Sequence, residues 1–392
     1  MKQANTLTPA YAAVQASFWM TWCTSVSFAA VYLQGLGYRN AELGLVTAAG
    51  SLLGALLGPA LSDRIDRDER VSAGRLTPPV LAAQAAALLL LLAFPRKGVG
   101  TTLGFALYMM FATSVNSLNL KLYSDAVHRG ARMDYGFARG MGSLFYVLLS
   151  LLLGLLVERS SVHAVIVAAL LLTAAQYAAF RVFAHRVPDA PGPGAGYAEH
   201  GASLPAFVRK NRRFCVLLLG TVLLFFSHNI VCNFLINITR RVGGDTGTMG
   251  LLNGFMAAVE IPVMLFFSVL FGRRSSASLL RVAFVFFSLK AVAVALAPSV
   301  PLLGAAFLLQ APSFALYASA IVPYVGRAVS YEDSAKAQSL AFTMTTLGGV
   351  LANVIGGWLF DTVSVSATLW IACGVCVLGS AVALCGVDNK RA

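Results

Sequence analysis

Twelve apolar stretches, each long enough to cross a lipid bilayer, recur through this chain of 392 residues, and that recurrence restricts its fold more than any other feature. A helix rises about 1.5 Å per residue, so about 20 residues traverse a hydrocarbon core about 30 Å thick. The stretches fall at 10–33, 42–62, 76–94, 100–122, 138–158 and 161–183, and again at 213–238, 248–271, 277–297, 300–323, 337–360 and 364–386. They are too long and too evenly apolar for barrel strands, and lipid offers no partner to an open backbone, so each reads as a helix. Only 11% of residues are charged, against about 25% in soluble domains. The first stretch follows Lys2 without a small-residue cleavage site, so it is expected to remain a membrane helix rather than a removed signal.

The net charge of +13 sorts by topology. With both termini in the cytoplasm, most of the 29 Lys and Arg residues fall on cytoplasmic segments, among them Arg64, Arg67, Arg70 and Arg75, and Arg209, Lys210, Arg212 and Arg213. Few, such as Arg96, Lys97 and Arg240, fall outside. This bias predicts a multi-pass protein of an inner (plasma) membrane, in contact with lipid and with no nucleic-acid partner. The six cysteines lie inside predicted helices as small packing residues; Cys373 and Cys376 form a CxxC with no second pair, so neither a disulfide framework nor a metal centre is expected.

The stretch VPDAPGPGAGYAEHGASLP, 187–205, is too polar and too rich in Pro and Gly to span, and it divides the helices six and six. The expected organisation is a six-helix bundle over 1–186, a cytoplasmic linker over 187–212 and a second six-helix bundle over 213–392, all-α, enclosing a central cavity. Gly37, Gly44 and Leu45 recur at Gly243, Gly250 and Leu251 with one constant offset, as a parallel repeat requires. Gly50, Gly54 and Gly58 make a smooth face on the second helix, and Gly349, Ala352, Gly356 and Gly357 another on the eleventh, so these two helices are expected to meet.

PALSDRIDR, 59–67, resembles the loop signature of the Major Facilitator Superfamily, with Asp63, Arg64 and Arg67 at its acidic and basic positions. Pro59, Asp66 and Asp68 depart from that pattern. DYGFARGMGS (134–143), VEIPVM (259–264) and GGWLFD (356–361) are similar to motifs of a branch containing sugar and nucleoside proton symporters. The resemblance implies alternating access, a gating role for Asp63, Arg64, Arg67 and Arg139, and a cavity lined by the first, fourth, seventh and tenth helices.

Each of those four helices carries polar or aromatic side chains. Asn229, Asn233 and Asn237 stand four apart, drifting only about 40° per step, so they share one side of the seventh helix beside His228. The first helix offers Gln15, Trp19 and Trp22; the fourth Asn116, Asn119 and Tyr123; the tenth Gln310, Ser313 and Tyr317. Trp19, Trp22, Asn116, Asn119, His228, Asn229, Asn233, Gln310 and Tyr317 are the candidate substrate contacts, since amides both donate and accept and indoles give flat faces to a sugar or base. The alternative use of each amide is to bond a neighbouring helix.

Glu260, mid-way along the eighth helix, is the leading candidate for proton coupling, with Asp125 and Lys290 as further candidates. Lys290 is a possible permanent partner of Glu260, and Asp125 of Arg139. His128, His163, His185 and His200 fall in loops or at helix ends, and no HExxH, GxSxG or GxxxxGK[ST] motif occurs. The expectation is a monomeric secondary transporter without cofactor, moving a small polar solute with protons. The alternatives are an exporter of drugs or metabolites and, from another class, an intramembrane enzyme built on His228 and Cys232, four residues apart.

Overall fold

The computed structural model describes residues 7–67, 71–131, 133–187, 204–271 and 274–388, and every regular element among them is a helix. Helix α1 runs from Leu7–Trp22 through a π-helical turn, Cys23–Ser27, into Ala29–Gly35. Asn40–Arg67 is α2, Ala73–Ala93 α3, Val99–His128 α4, Tyr135–Arg159 α5 and Ala164–Arg186 α6. After a short helix, Leu204–Lys210, α7 comprises Arg212–Asn233 and Leu235–Arg241, α8 Thr246–Leu265 and Phe267–Phe271, and α9 Ser276–Leu296. Irregular turns then interrupt two helices. In α10 they are Leu308–Gln310 and Ala311–Ala315, between Val300–Phe307 and Leu316–Ala328; in α11 Ala352–Gly356 separates Tyr331–Leu351 from Gly357–Thr362. Val365–Gly386 is α12.

Ten of the described helices are long and apolar enough to cross a membrane. The remaining two of the twelve are α1, with Thr, Ser, Gln and Pro along LTPAYAAVQASFWMTWCTSVS, and α4, whose 30 residues include Thr, Ser and Asn; these side chains dilute the hydropathy of both. Large apolar side chains, including Leu56, Leu152, Leu171, Leu219 and Phe342, stand exposed, as helices bordered by lipid allow.

The chain divides into two compact units, 1–196 and 197–392. The pairings inside them match. In the first unit α1 packs on α5 and α6, α2 on α4, and α3 on α4 and α6; in the second α7 packs on α11 and α12, α8 on α10, and α9 on α10 and α12. The repeated glycines have one geometry. Gly37 and Gly243 both lie in the left-handed region, with φ of 87° and 83°. Each ends its helix with the same bonds: Gly37 N–H to Gln34 O and Tyr38 N–H to Leu33 O, Gly243 N–H to Arg240 O and Gly244 N–H to Thr239 O. This double closure satisfies the last carbonyls of a helix and needs a residue without a Cβ at the left-handed position.

Two expected features have local structure of their own. The segment expected as a linker, 187–212, lies partly outside the described residues, and its last part is the helix Leu204–Lys210. That helix is anchored by Phe207, fully buried and edge-on to Phe214, and by Lys210, whose Nζ lies 2.9 Å from Asp333 Oδ2. The glycines of α2 and α11 also have close neighbours within their own units. Added Cβ atoms at Gly50, Gly54 and Gly58 would meet Met109, Thr113 and Ser117 of α4, while at Gly349 and Gly356 they would meet Asn229 and Ile230 of α7, and at the neighbouring Gly348 Val222 and Phe225. Small residues admit whichever helix packs closest, and the sequence spacing does not name it.

Acidic residues cap two of the helices, one of them within the 134–143 motif. Asp134 caps α5, its Oδ1 accepting from Phe137 N at 2.9 Å. Asp245 caps α8, its Oδ1 accepting from both Thr248 N and Thr248 Oγ1 at 2.7 Å, and these bonds hold its carboxyl below the usual carboxylate range.

Candidate functional site

In the second unit four polar side chains from four helices meet inside an aromatic core. Lys290 of α9 is only 2% exposed, and its Nζ donates to Gln310 Oε1 at 2.7 Å and lies 2.9 Å from His228 Nδ1. Gln310 Nε2 in turn donates to Glu260 Oε1 at 2.8 Å. The chain of contacts is therefore His228, Lys290, Gln310, Glu260. It joins α7, α9, α10 and α8. A buried ammonium is tolerable only when paired and hydrogen-bonded, and here the amide carries the connection from cation to carboxylate.

Local backbone irregularities deliver these groups. Pro312 lacks an N–H, and the turns around it, 3-10 over Leu308–Gln310 and π over Ala311–Ala315, place Gln310 at their junction. Pro262 stands two residues after Glu260 inside α8 and removes one helical bond there. His228 is held by rings: Phe314 stacks on it with centroids 4.8 Å apart, and Phe225 and Phe287 approach edge-on at 5.7 and 5.9 Å. Cys232 Sγ lies 3.6 Å from His228 Nε2, so the pair expected to touch across one turn does so.

The asparagines of α7 diverge. Asn229 Nδ2 bonds back to Phe225 O at 2.7 Å, and Asn233 Nδ2 crosses to Asn353 Oδ1 of α11 at 2.7 Å. Phe234 interrupts the helix directly after Asn233, so Asn237 falls on a separate segment, Leu235–Arg241. A continuous stripe is thus broken at its third member. Tyr317 is 3% exposed, packed with Phe225, Phe284 and Phe287 in the core.

In the first unit Tyr11, Gln15 and Trp19 stand one turn apart on α1 and bond in series. Trp19 Nε1 donates to Gln15 Oε1 at 3.1 Å, Gln15 Nε2 to Tyr11 Oη at 2.7 Å, and Tyr11 Oη to the carbonyl of Asn119 on α4 at 3.0 Å. Arg139, expected at the gating loop, lies with its guanidinium 3.8 Å from the centre of the Trp19 ring and donates to Ser143 Oγ at 2.7 Å. Gly142 makes room for this, since a Cβ there would sit 2.5 Å from the Trp19 ring. Trp22 lies 6.0 Å from Trp19, and both are half-buried, as is Asn116, while Asn119 is buried. Asp125 pairs along its own helix, 3.7 Å from Lys121 Nζ. Asp63 and Arg64 are exposed at the end of α2; the side chain of Arg67, like Asp68, lies outside the described residues, as do the side chain of His128 and His200.

Sequence reasoning missed Tyr11 and the place of Arg139 over Trp19. The i, i+4, i+8 spacing of Tyr11, Gln15 and Trp19 was the available signal. It named Gln310 and Lys290 separately without the bond that joins them.

A family model described as the MFS_1 like family matches residues 17–371. Among solved structures, a mutant of the nucleoside transporter NupG superposes with a TM-score of 0.80 at 16% identity, covering 97% of this chain and 99% of that one. A bacterial homolog of the human lysosomal transporter Spinster, inward-facing and occupied, gives 0.75 at 13% identity over 100% and 99%. An auto inhibited POT family peptide transporter gives 0.74 at 11% identity over 98% of each. No curated protein sequence matches the chain.

Proposed function

The chain belongs to the MFS_1 like family and is a membrane transporter of the Major Facilitator type, and from that premise we propose that it carries a small polar solute, sugar-like or nucleoside-like, by alternating access coupled to protons. The observation that carries the reading is the bond from Gln310 to Glu260, which leaves a half-buried carboxylate linked through one amide to a buried ammonium. An ionisable pair is costly within a membrane and is kept there for function. Protonation of Glu260 neutralises the carboxylate, so loading a proton changes the charge that the unit must carry through its conformational change.

The solute class rests on the first unit. Half-buried Trp19 and Trp22 offer flat faces, Arg139 brings a planar cation against one of them, and Asn116 adds an amide able to donate and accept. NupG, a nucleoside transporter, shares the fold and agrees with this class. The working assignment is a transporter of an inner membrane with cytoplasmic termini, acting as a monomer. In proteoliposomes, thermal-shift hits from a panel of sugars and nucleosides are expected to accumulate under an imposed inward proton gradient. Glu260→Gln should abolish accumulation while leaving counterflow; unchanged accumulation removes Glu260 from coupling.

A further inference from the structure

We propose that the first unit binds an ordered water molecule between α3 and α6, held by the side-chain amides of Gln84 and Gln176 at the middle of the membrane. The site is independent of Glu260 and of the coupling role given to it.

Both glutamines stand at a depth where only hydrocarbon surrounds the protein. Gln84 lies near the middle of the span Ala73–Ala93 and Gln176 near the middle of Ala164–Arg186, and both are closed off from the surface, at 0% and 2% exposure. Thr173 and Gln176 are three residues apart and share one face of α6. That face meets α3, because Thr173 Oγ1 accepts from Gln84 Nε2 at 2.7 Å. The constant offset that carries Gly37 onto Gly243 also carries Gln84 onto Lys290, so this position on the third helix of each unit is buried and polar.

The hydrogen bonds determine which atoms remain. The one proton of the Thr173 hydroxyl goes to Ala169 O at 2.8 Å, so Thr173 can only accept from Gln84, which must present Nε2 to it. Gln84 Oε1 is thereby turned away. Among the described residues that oxygen has no hydrogen-bond partner, and neither has Oε1 or Nε2 of Gln176. Two carbonyl oxygens and one amide nitrogen are therefore bare. Each is costly at this depth, since hydrocarbon offers neither donor nor acceptor.

A water molecule matches this set. Its two O–H groups donate to Gln84 Oε1 and Gln176 Oε1, and its oxygen accepts from Gln176 Nε2; about three bonds is the usual complement of a buried water. A divalent cation fits poorly, because two neutral oxygens fall short of the roughly six that it takes and the amide N–H groups oppose it. The rival arrangement is a closed pair of the two amides. It would use the second Nε2 proton of Gln84 and bring Gln176 into direct contact with it, a contact these side chains do not make. The bridge extends the Gln84–Thr173 contact by one turn of α6.

Hydroxyl-radical footprinting with X-ray pulses, read by mass spectrometry on the full-length protein in lipid nanodiscs, tests the proposal, because radicals formed from a bound water oxidise neighbouring side chains that bulk water does not reach. Leu81 and Leu88 share the Gln84 face of α3, and Phe180 the Gln176 face of α6; their exposures are 2%, 0% and 3%. Oxidation at these residues is expected in the wild type. It is expected to be lost in Gln84→Leu/Gln176→Leu, which removes every bare atom and leaves the Thr173 hydroxyl its bond to Ala169. Gln176→Leu alone takes away two of the three bonds and is expected to abolish the label as well. A wild-type protein unlabelled at Leu81, Leu88 and Phe180, as the closed amide pair requires, overturns the proposal, and so does labelling that persists in the double variant.

Discussion

Replacing Gly220 with alanine is expected to push α7 and α12 apart. A Cβ at this position would lie 2.4 Å from the backbone nitrogen of Ala383 and 2.7 Å from its Cα and Cβ, whereas ordinary contact begins at 3.4 Å. The shortfall is therefore about 1 Å, and since two of the three atoms are backbone no rotamer change relieves it; overpacking of this kind costs about 1–3 kcal/mol. Alanine recovers about 1 kcal/mol of helix propensity over glycine, so a clash at the upper end of that range leaves a net loss of about 1–2 kcal/mol. Gly374, exposed on α12, supplies the control. Nothing lies within 4 Å of a Cβ there, so Gly374→Ala keeps the propensity gain alone, up to about 1 kcal/mol. The two substitutions should differ in sign and by about 2–3 kcal/mol in unfolding by graded SDS in mixed micelles. A Gly220→Ala protein as stable as the wild type, or a Gly374→Ala protein destabilised to the same degree, would refute the close approach of the two helices.

Other perturbations test separate parts of the molecule. Gly37→Ala and Gly243→Ala, each forced into a left-handed φ, should each cost about 1–2 kcal/mol in the same SDS assay, and unequal losses would count against the equivalence of the two turns. Arg241→Ala removes donations to the carbonyls of Val294, Ala295 and Ala297 at the end of α9; a loss of about 1–3 kcal/mol is expected by thermal unfolding. At Asp245 the folded-state carboxyl is the stronger acid, held there by its bonds to Thr248. Its contribution is accordingly complete above the unfolded value near pH 4 and disappears as pH falls through the lower folded value. Asp245→Ala should therefore cost about 0.5–2 kcal/mol at neutral pH, with the difference from wild type closing as pH falls through the lowered folded-state value, while Asp245→Asn keeps the cap and shows no such closure.

The sequence alone determined the helices, because a backbone in lipid has to satisfy its own polar groups and only long apolar helices do so without partners. It also determined where certain helices stop: a left-handed cap favours glycine from local sterics, so Gly37, Gly130 and Gly243 mark helix ends wherever the rest of the chain goes. The breaks were less legible. Pro312 marks a disturbance in α10, but the π turns of α1 and α11 carry no proline and depend on what packs against them, such as Tyr108 Oη bonding Thr24 Oγ1 at 2.7 Å.

Only the tertiary structure decided which polar groups act together. Glu260, Lys290, His228 and Gln310 each stood out as unusual in an apolar helix, yet their linkage crosses four helices, and the partner of a buried charge is settled by packing over long sequence distances. The same holds for glycine faces, where the spacing states that a backbone comes close and the fold alone says whose. Gly54 meets Thr113 of α4 and Gly348 meets Phe225 of α7 because each unit closes its own core. Short-range sterics and the needs of the lipid-embedded backbone are written residue by residue, while charge pairing and close approach exist only between residues that the fold has brought together.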